Sequence, residues 1–173
     1  MNGLNLLTMA AACGGKYVGG EEFATREPNE IVIDSRLVQE GNLFAALPGE
    51  KVDGHAFVAK AFEAGAAACL VTHVPEGETR PCIVVEDVVT AMGDIAATYR
   101  GMLQIPIIGV TGSVGKTTMK EMIASVLEQR FKVLKTDKNY NNHMGVPMTL
   151  SRIDSDHRAA VVEMGINHFG EME

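Results

Sequence analysis

Apolar positions along this chain fall into two textures, short uninterrupted runs and longer stretches with helical spacing. Residues 31–34, 42–46, 67–72 and 82–85 are of the first kind and predict strands, the second of them closed by the turn signal Pro48-Gly49. Residues 8–12 predict a short helix capped at Thr8 and ended by Gly14-Gly15. Residues 56–64 predict another through Phe57, Val58, Ala61 and Phe62, closed by Gly65. Residues 73–81 are polar and bounded by proline, hence a loop. The clearest helical pattern is 88–103, with Val88, Met92, Ile95, Ala96, Tyr99 and Leu103 on one face and Asp87 as N-cap. After it come a strand over 105–111, a helix over 117–130 with Met122, Ile123, Val126 and Leu127 inward, and strands over 132–135 and 159–163. Runs without polar alternation, separated by helices, imply parallel sheets covered on both faces. The expected fold class is α/β, with a small α/β domain over residues 1–86 and a P-loop-type parallel-sheet domain beginning at 87 and running to 173.

Composition changes this picture little. With 46% hydrophobic and 21% charged residues the chain is an ordinary globular sequence, and its 173 residues suffice for a real core. A formal charge of −7 without any basic cluster argues against a nucleic-acid or anionic-membrane surface. Tryptophan is absent and aromatics are 5%, so a base or sugar pocket must rely on aliphatic and backbone contacts. Cys13, Cys69 and Cys82 have neither metal spacing nor an even-numbered framework, which fits a reducing cytoplasmic setting, and Cys69 lies in an apolar run as a core residue. The opening residues resemble a lipoprotein signal only superficially, since no Lys or Arg precedes Lys16 and polar residues break the apolar stretch. No run is long enough to insert in a membrane.

Chemistry concentrates in Gly109-Val110-Thr111-Gly112-Ser113-Val114-Gly115-Lys116-Thr117-Thr118, between an apolar strand and a helix. The turn's N–H groups and the helix N-terminus suit phosphates, with Lys116 against the outer phosphates and the Thr117 hydroxyl on an accompanying magnesium ion. The usual spacing wants glycine where Val110 stands, so this is a variant loop. Glu163, at the carboxyl end of an apolar strand, is a candidate magnesium ligand or a solvated strand terminus. Asn139-Tyr140-Asn141-Asn142 offers neutral donors and acceptors, although such loops are commonly turns. His143 and His168 are acid–base candidates without an evident partner. Asp34-Ser35-Arg36 ends a strand with groups suited to an anion or to uracil, or forms an exposed ion pair.

These pieces together resemble the Mur ligases, the ATP-dependent amide-forming enzymes of peptidoglycan synthesis. The resemblance rests on the variant loop Thr111 to Thr118, and on Asp34-Ser35-Arg36 with Gly41-Asn42-Leu43-Phe44 and Leu47-Pro48-Gly49. Asp53-Gly54-His55, the asparagine motif with Gly145 and Pro147, and Glu163-Met164-Gly165-Ile166-Asn167-His168 with Gly170-Glu171 favour the member that adds D-alanyl-D-alanine. It implies ATP and Mg2+ as cofactors, and UDP-N-acetylmuramoyl-tripeptide and D-alanyl-D-alanine as substrates. It also implies an acyl phosphate on the tripeptide carboxylate that the dipeptide amine attacks. On these positions Gly112, Ser113, Val114, Gly115, Lys116, Thr117 and Thr118 would hold the ATP phosphates, with Lys116 catalytic. Thr117 and Glu163 would hold magnesium, Asn141 and Asn142 would lie near substrate or phosphates, and Ser35 and Arg36 would face the uridine diphosphate. A cytoplasmic monomer is expected, as is a truncated ATP-binding domain without the C-terminal domain, so that the chain alone is an inactive fragment. Other readings are a Mur or folylpolyglutamate ligase of different specificity, against which the asparagine motif argues, and a non-catalytic nucleotide-binding module.

Overall fold

The computed structural model describes residues 1–49 and 52–165. Helix α1 (Leu6–Ala12) is followed by strands β1 (Lys16–Val18), β2 (Ile31–Val32) and β3 (Leu43–Ala45). A 3₁₀ turn (Gly54–Phe57) leads into α2 (Val58–Glu63), then β4 (Ala68–Val71) and β5 (Cys82–Val84). These strands form one sheet in the order β1-β5-β4-β3-β2, parallel except for the β1–β5 pair. Helix α3 (Val88–Met102) then leads to β6 (Ile107–Val110), α4 (Lys116–Leu127), β7 (Val133–Lys135), α5 (Gly145–Ser151) and β8 (Ala159–Glu163). The second sheet is wholly parallel, in the order β6-β8-β7, so β8 is inserted between its two predecessors. Every residue of β8 is buried, which is why Ala159 to Val162 carry no polar alternation.

Several local expectations shift. Helix α1 is capped by Asn5, whose side chain accepts from the Thr8 N–H, and not by Thr8 itself. Strand β1 and helix α5 carry no clear sequence signal: the first is three residues with mixed exposure, and the second begins on glycine and contains Pro147 within its first turn. Gly145 is required there because a Cβ would lie 2.4 Å from the Tyr140 carbonyl carbon. The largest correction concerns α4. Met122 and Val126 face outward, 60% and 71% exposed, while Lys120 and Ala124 are buried with Ile123 and Leu127 partly so. The inward set 120, 123, 124, 127 has ideal helical spacing, but the lysine within it hides the pattern.

Helix α3 joins the two sheets. Its N-cap is Asp87, and its face Val88, Ala91, Met92, Ile95 and Tyr99 is buried. That face lies in one apolar cluster with Leu43, Leu70 and Ile83 of the first sheet and Leu134, Ala160 and Val162 of the second. Full burial of side chains such as Met92 and Ile95 stabilises the fold by about 2–3 kcal/mol each. Two buried hydrogen bonds fix the junction: Ser151 Oγ accepts from the Ile31 N–H at 3.0 Å, and the Tyr99 hydroxyl donates to the Ile153 carbonyl at 2.5 Å. Replacing Tyr99 by Phe leaves that carbonyl buried without a donor, at a cost of about 1–2 kcal/mol. Urea unfolding of Tyr99→Phe is therefore expected to show a lower midpoint at unchanged slope, and an unaltered midpoint would show that the bond is energetically idle.

Candidate functional site

Two clefts sit at the carboxyl ends of the parallel strands, where open α/β sheets bind ligands. The first is a cavity of about 560 Å³ beyond β2 and β3, lined by Asp34, Ser35, Arg36, Phe44, Leu47 and Lys60 among others. Both sequence-derived residues of this region are there, Ser35 nearly buried and Arg36 exposed on the wall. Arg36 makes a two-pronged contact with Asp34, Nε to Oδ1 at 2.9 Å and Nη2 to Oδ2 at 2.7 Å. The guanidinium, aided by the Arg36 backbone N–H, holds the Asp34 carboxyl down at about 2. The ion pair and the ligand wall are thus the same group of atoms. Lys60 adds a second cation that the sequence pattern gave no reason to single out.

The far wall explains Asp53-Gly54-His55. Asp53 caps the 3₁₀ turn by accepting from the His55 N–H and also contacts His55 Nδ1 at 2.6 Å. His55 Nε2 accepts from the Thr72 N–H at 2.9 Å, which places the ring proton on Nδ1, toward Asp53. Gly54 rests on the end of β3, where an added Cβ would approach the Leu47 nitrogen and oxygen to 2.7 Å. These three residues shape the cavity by fixing its backbone.

The second cleft is the loop between β6 and α4. Gly112 (φ 146°) and Gly115 (φ 77°) occupy conformations that L side chains avoid, and Val114 is 91% exposed at the tip. Helix α4 starts at Lys116 behind a left-handed Gly115, with no side chain capping its first turn. Helices α1 and α3 are capped by Asn5 and Asp87, whereas the short helices α2 and α5, like α4, have no side-chain cap from their N-cap residue. The amide donors of an uncapped helix start, and its positive end, are available to an anion. Lys116 Nζ donates to the Gly112 carbonyl at 2.7 Å, folded across its own loop. Ser113, Thr117 and Thr118 are exposed or half-exposed around it, and Thr117 and Thr118 line an adjoining open hollow.

Glu163 stands beside this loop. It is the register partner of Val110, the last residue of β6, and its carboxylate is 2% exposed overall. Oε1 accepts from Asn141 Nδ2 at 2.8 Å, and the Glu163 N–H donates to Thr136 Oγ1 at 2.9 Å. Among the described residues Oε2 is buried without a hydrogen-bond partner. An orphaned carboxylate oxygen in a parallel-sheet cleft is unfavourable by about 1–3 kcal/mol or more unless something binds it. Hard oxygen donors, this carboxylate and the Thr117 hydroxyl, fit magnesium. Among the described residues no three His, Cys, Asp or Glu side chains converge, so phosphate and water would have to complete an octahedral shell.

The two asparagines part company. Asn141 orients Glu163, while Asn142 Oδ1 accepts from the N–H groups of Met144 and Gly145 and so shapes the entry to α5. His143 is exposed on the same loop, and His168 with the rest of its motif lies outside the described residues. Lys120, missed in the sequence, is buried one turn along α4 with its ammonium 3.9 Å from Glu163 Oε2. Its helical phase relative to Lys116 was the available signal. No helix among the described residues is long and apolar enough to cross a membrane.

Comparison with known proteins agrees with this geometry. Residues 27–100 match the Mur ligase family, catalytic domain, and residues 110–173 match the Mur ligase middle domain. A UDP-N-acetylmuramoyl-tripeptide–D-alanyl-D-alanine ligase of Synechocystis is 49% identical over 83% of this chain and 32% of its own length. One of the same description from Haemophilus influenzae is 37% identical over 98% of this chain and 37% of its length. The solved D-alanyl-D-alanyl ligase of Acinetobacter baumannii superposes with a TM-score of 0.81 at 35% identity, covering 97% of this chain and 37% of that one. MurF of Thermotoga maritima in complex with ADP gives 0.67 at 32% identity, over 79% of this chain and 32% of that one. The chain thus spans about a third of the length of the curated relatives it matches. With two consecutive family patterns, close relatives and superposable structures falling on the same residues, the chain belongs to the Mur ligase family.

Proposed function

We propose that this chain carries the UDP-substrate and nucleotide-phosphate halves of a ligase that joins D-alanyl-D-alanine to UDP-N-acetylmuramoyl-tripeptide at the expense of ATP. The observation that carries this reading is the uncapped, glycine-started helix α4 beside an orphaned buried carboxylate at the same sheet end. The names of the relatives supply the substrates. The location expected for such an enzyme is the cytoplasm, consistent with three free thiols.

In the proposed reaction the terminal carboxylate of the tripeptide attacks the γ-phosphorus, the bond to the β-phosphate oxygen breaks and ADP leaves. The dipeptide amine then attacks the acyl carbon and inorganic phosphate departs. Within this chain, the N–H groups at the start of α4 hold the phosphates through the reaction, so their placement involves no reorganisation. Lys116 releases the Gly112 carbonyl and turns its ammonium to the transferring phosphoryl group, where charge accumulates. Thr117 and Glu163 hold magnesium, which when bound neutralises phosphate charge. Asn141 keeps the Glu163 carboxylate aimed by occupying its other oxygen. At the far cleft, Arg36 and Lys60 supply positive charge for a diphosphate, and Ser35 a hydroxyl for hydrogen bonding.

Two outcomes are expected. Lys116→Ala should weaken Mg-ADP binding at least tenfold by calorimetry, and Glu163→Gln should remove most of the dependence of ADP binding on magnesium. If both variants bind like the parent, the phosphate-loop reading is wrong. Arg36→Ala should weaken UDP binding and, by removing the partner of Asp34, raise that carboxyl from about 2 toward its ordinary value near 4 in an NMR titration. Undiminished UDP affinity with the titration shift present would place the nucleotide elsewhere.

A further inference from the structure

Among the described residues Lys120 is the one buried cation at this cleft, and the loop chemistry above does not use it. Its side chain is 2% exposed. The ammonium donates to the Thr136 carbonyl at 2.8 Å and lies 3.2 Å from Glu121 Oε1 and 3.9 Å from Glu163 Oε2. Glu121 is in turn bonded by Lys135 at 2.7 Å, so its charge is already countered from the solvent side. Thr136 ties the arrangement together, since its carbonyl anchors Lys120 while its hydroxyl accepts from the Glu163 N–H. The ammonium is therefore held by the Thr136 carbonyl and the Glu121 carboxylate at a set distance from the orphaned oxygen, too far for a good hydrogen bond and close enough for a strong charge interaction.

We infer that Lys120 acts as a charge guard on Glu163: a positioning residue that offsets the carboxylate while the loop is empty and opposes entry of a divalent cation unless nucleotide phosphates arrive with it. This rests on the reading of Glu163 as a magnesium ligand. A dication bound at Oε2 would meet the fixed ammonium, and in a partly desolvated cleft repulsion between charges a few ångströms apart is worth more than about a factor of ten in affinity. The polyphosphate brings enough negative charge to offset that repulsion. Metal and nucleotide are thereby coupled, each binding better in the presence of the other.

The test is Mn2+ binding to the 173-residue chain, followed by water-proton relaxation or the free-ion electron paramagnetic resonance signal, with and without ADP. Lys120→Met should tighten nucleotide-free Mn2+ binding at least tenfold and shrink the gain produced by ADP. Lys120→Arg, which keeps the charge, should behave as the parent does. The gain should vanish in the Lys120→Met, Glu163→Gln double variant. Unchanged or weaker Mn2+ binding in Lys120→Met overturns the guard, as does an equal gain in Lys120→Arg or a gain that survives in the double variant. Circular dichroism and a urea midpoint on each variant separate unfolding from a site effect, and if Lys120→Met does not fold, Lys120→Gln takes its place under the same criteria. Should Glu163→Gln alone leave Mn-ADP binding intact, the magnesium reading fails and the guard with it. Failure confined to the Lys120 variants sinks only the guard.

Discussion

The buried face of helix α3 is the constraint on which both clefts depend. Each sheet has an apolar cluster of its own on one side, but on the other Met92, Ile95 and Tyr99 share a single cluster with Leu43, Leu70 and Ile83 of the first sheet and Leu134, Ala160 and Val162 of the second. A division of the chain at residue 87 assigns the helix to the second unit by sequence, yet its packing belongs to both. The distance between the Arg36 wall and the phosphate loop is consequently set by a dry, close-packed layer, which transmits strain and resists bending. The Ile31–Ser151 and Tyr99–Ile153 hydrogen bonds pin the same layer at its polar margin.

Much of the fold was legible because strand burial and helix capping write themselves plainly into residues. Asp87 at the head of α3, the unbroken apolar run of β8 and the glycines around Lys116 each have one economical structural meaning. Position at the carboxyl end of a parallel strand singles out Glu163 as a candidate but leaves a ligand and a solvated strand end open, and its burial removes the second. Other features obeyed a local exception. The inward face of α4 was misassigned because its most buried member is a lysine, and pattern reading counts lysine as surface. Lys60 and Gly54 gain meaning only when distant segments are brought together, Gly54 by pressing on Leu47 and Lys60 by closing the cavity that Arg36 opens. The two asparagines look equivalent in sequence, and only the structure separates an orienting amide from a turn-forming one.

The second cleft combines several departures from ordinary folding rules that elsewhere in the chain occur singly. An uncapped helix start forgoes about 1 kcal/mol that Ser, Thr, Asp or Asn would supply. A carboxylate oxygen without a donor, an inward lysine and two glycines with positive φ lie within the same strand-end neighbourhood. The first cleft, by comparison, is built from satisfied groups: Asp34 with Arg36, Asp53 with His55, His55 with Thr72. One site stores unfavourable terms that a ligand can relieve, whereas the other offers a finished surface. That contrast fits tight, charge-dominated capture of phosphates at one end and shape-led recognition of a larger molecule at the other.

The central place of β8 also governs the order in which the phosphate loop can come into being. Among the described residues β6 and β7 are not paired with each other and each finds its sheet partner in β8, Ile107 opposite Ala160 and Val133 opposite Ala159. A nascent chain that has already released the whole glycine loop still has no sheet from which to hang it. Strand β6 joins β8 across a longer stretch of chain than the β2–β3, β3–β4 or β4–β5 pairs span, so seating the loop beside Glu163 carries a larger loop-closure cost than those pairings. The glycine loop and the Glu163 carboxylate are thus anchored by one strand pair, because β6 ends at Val110 opposite Glu163, and whatever displaces β8 displaces both together.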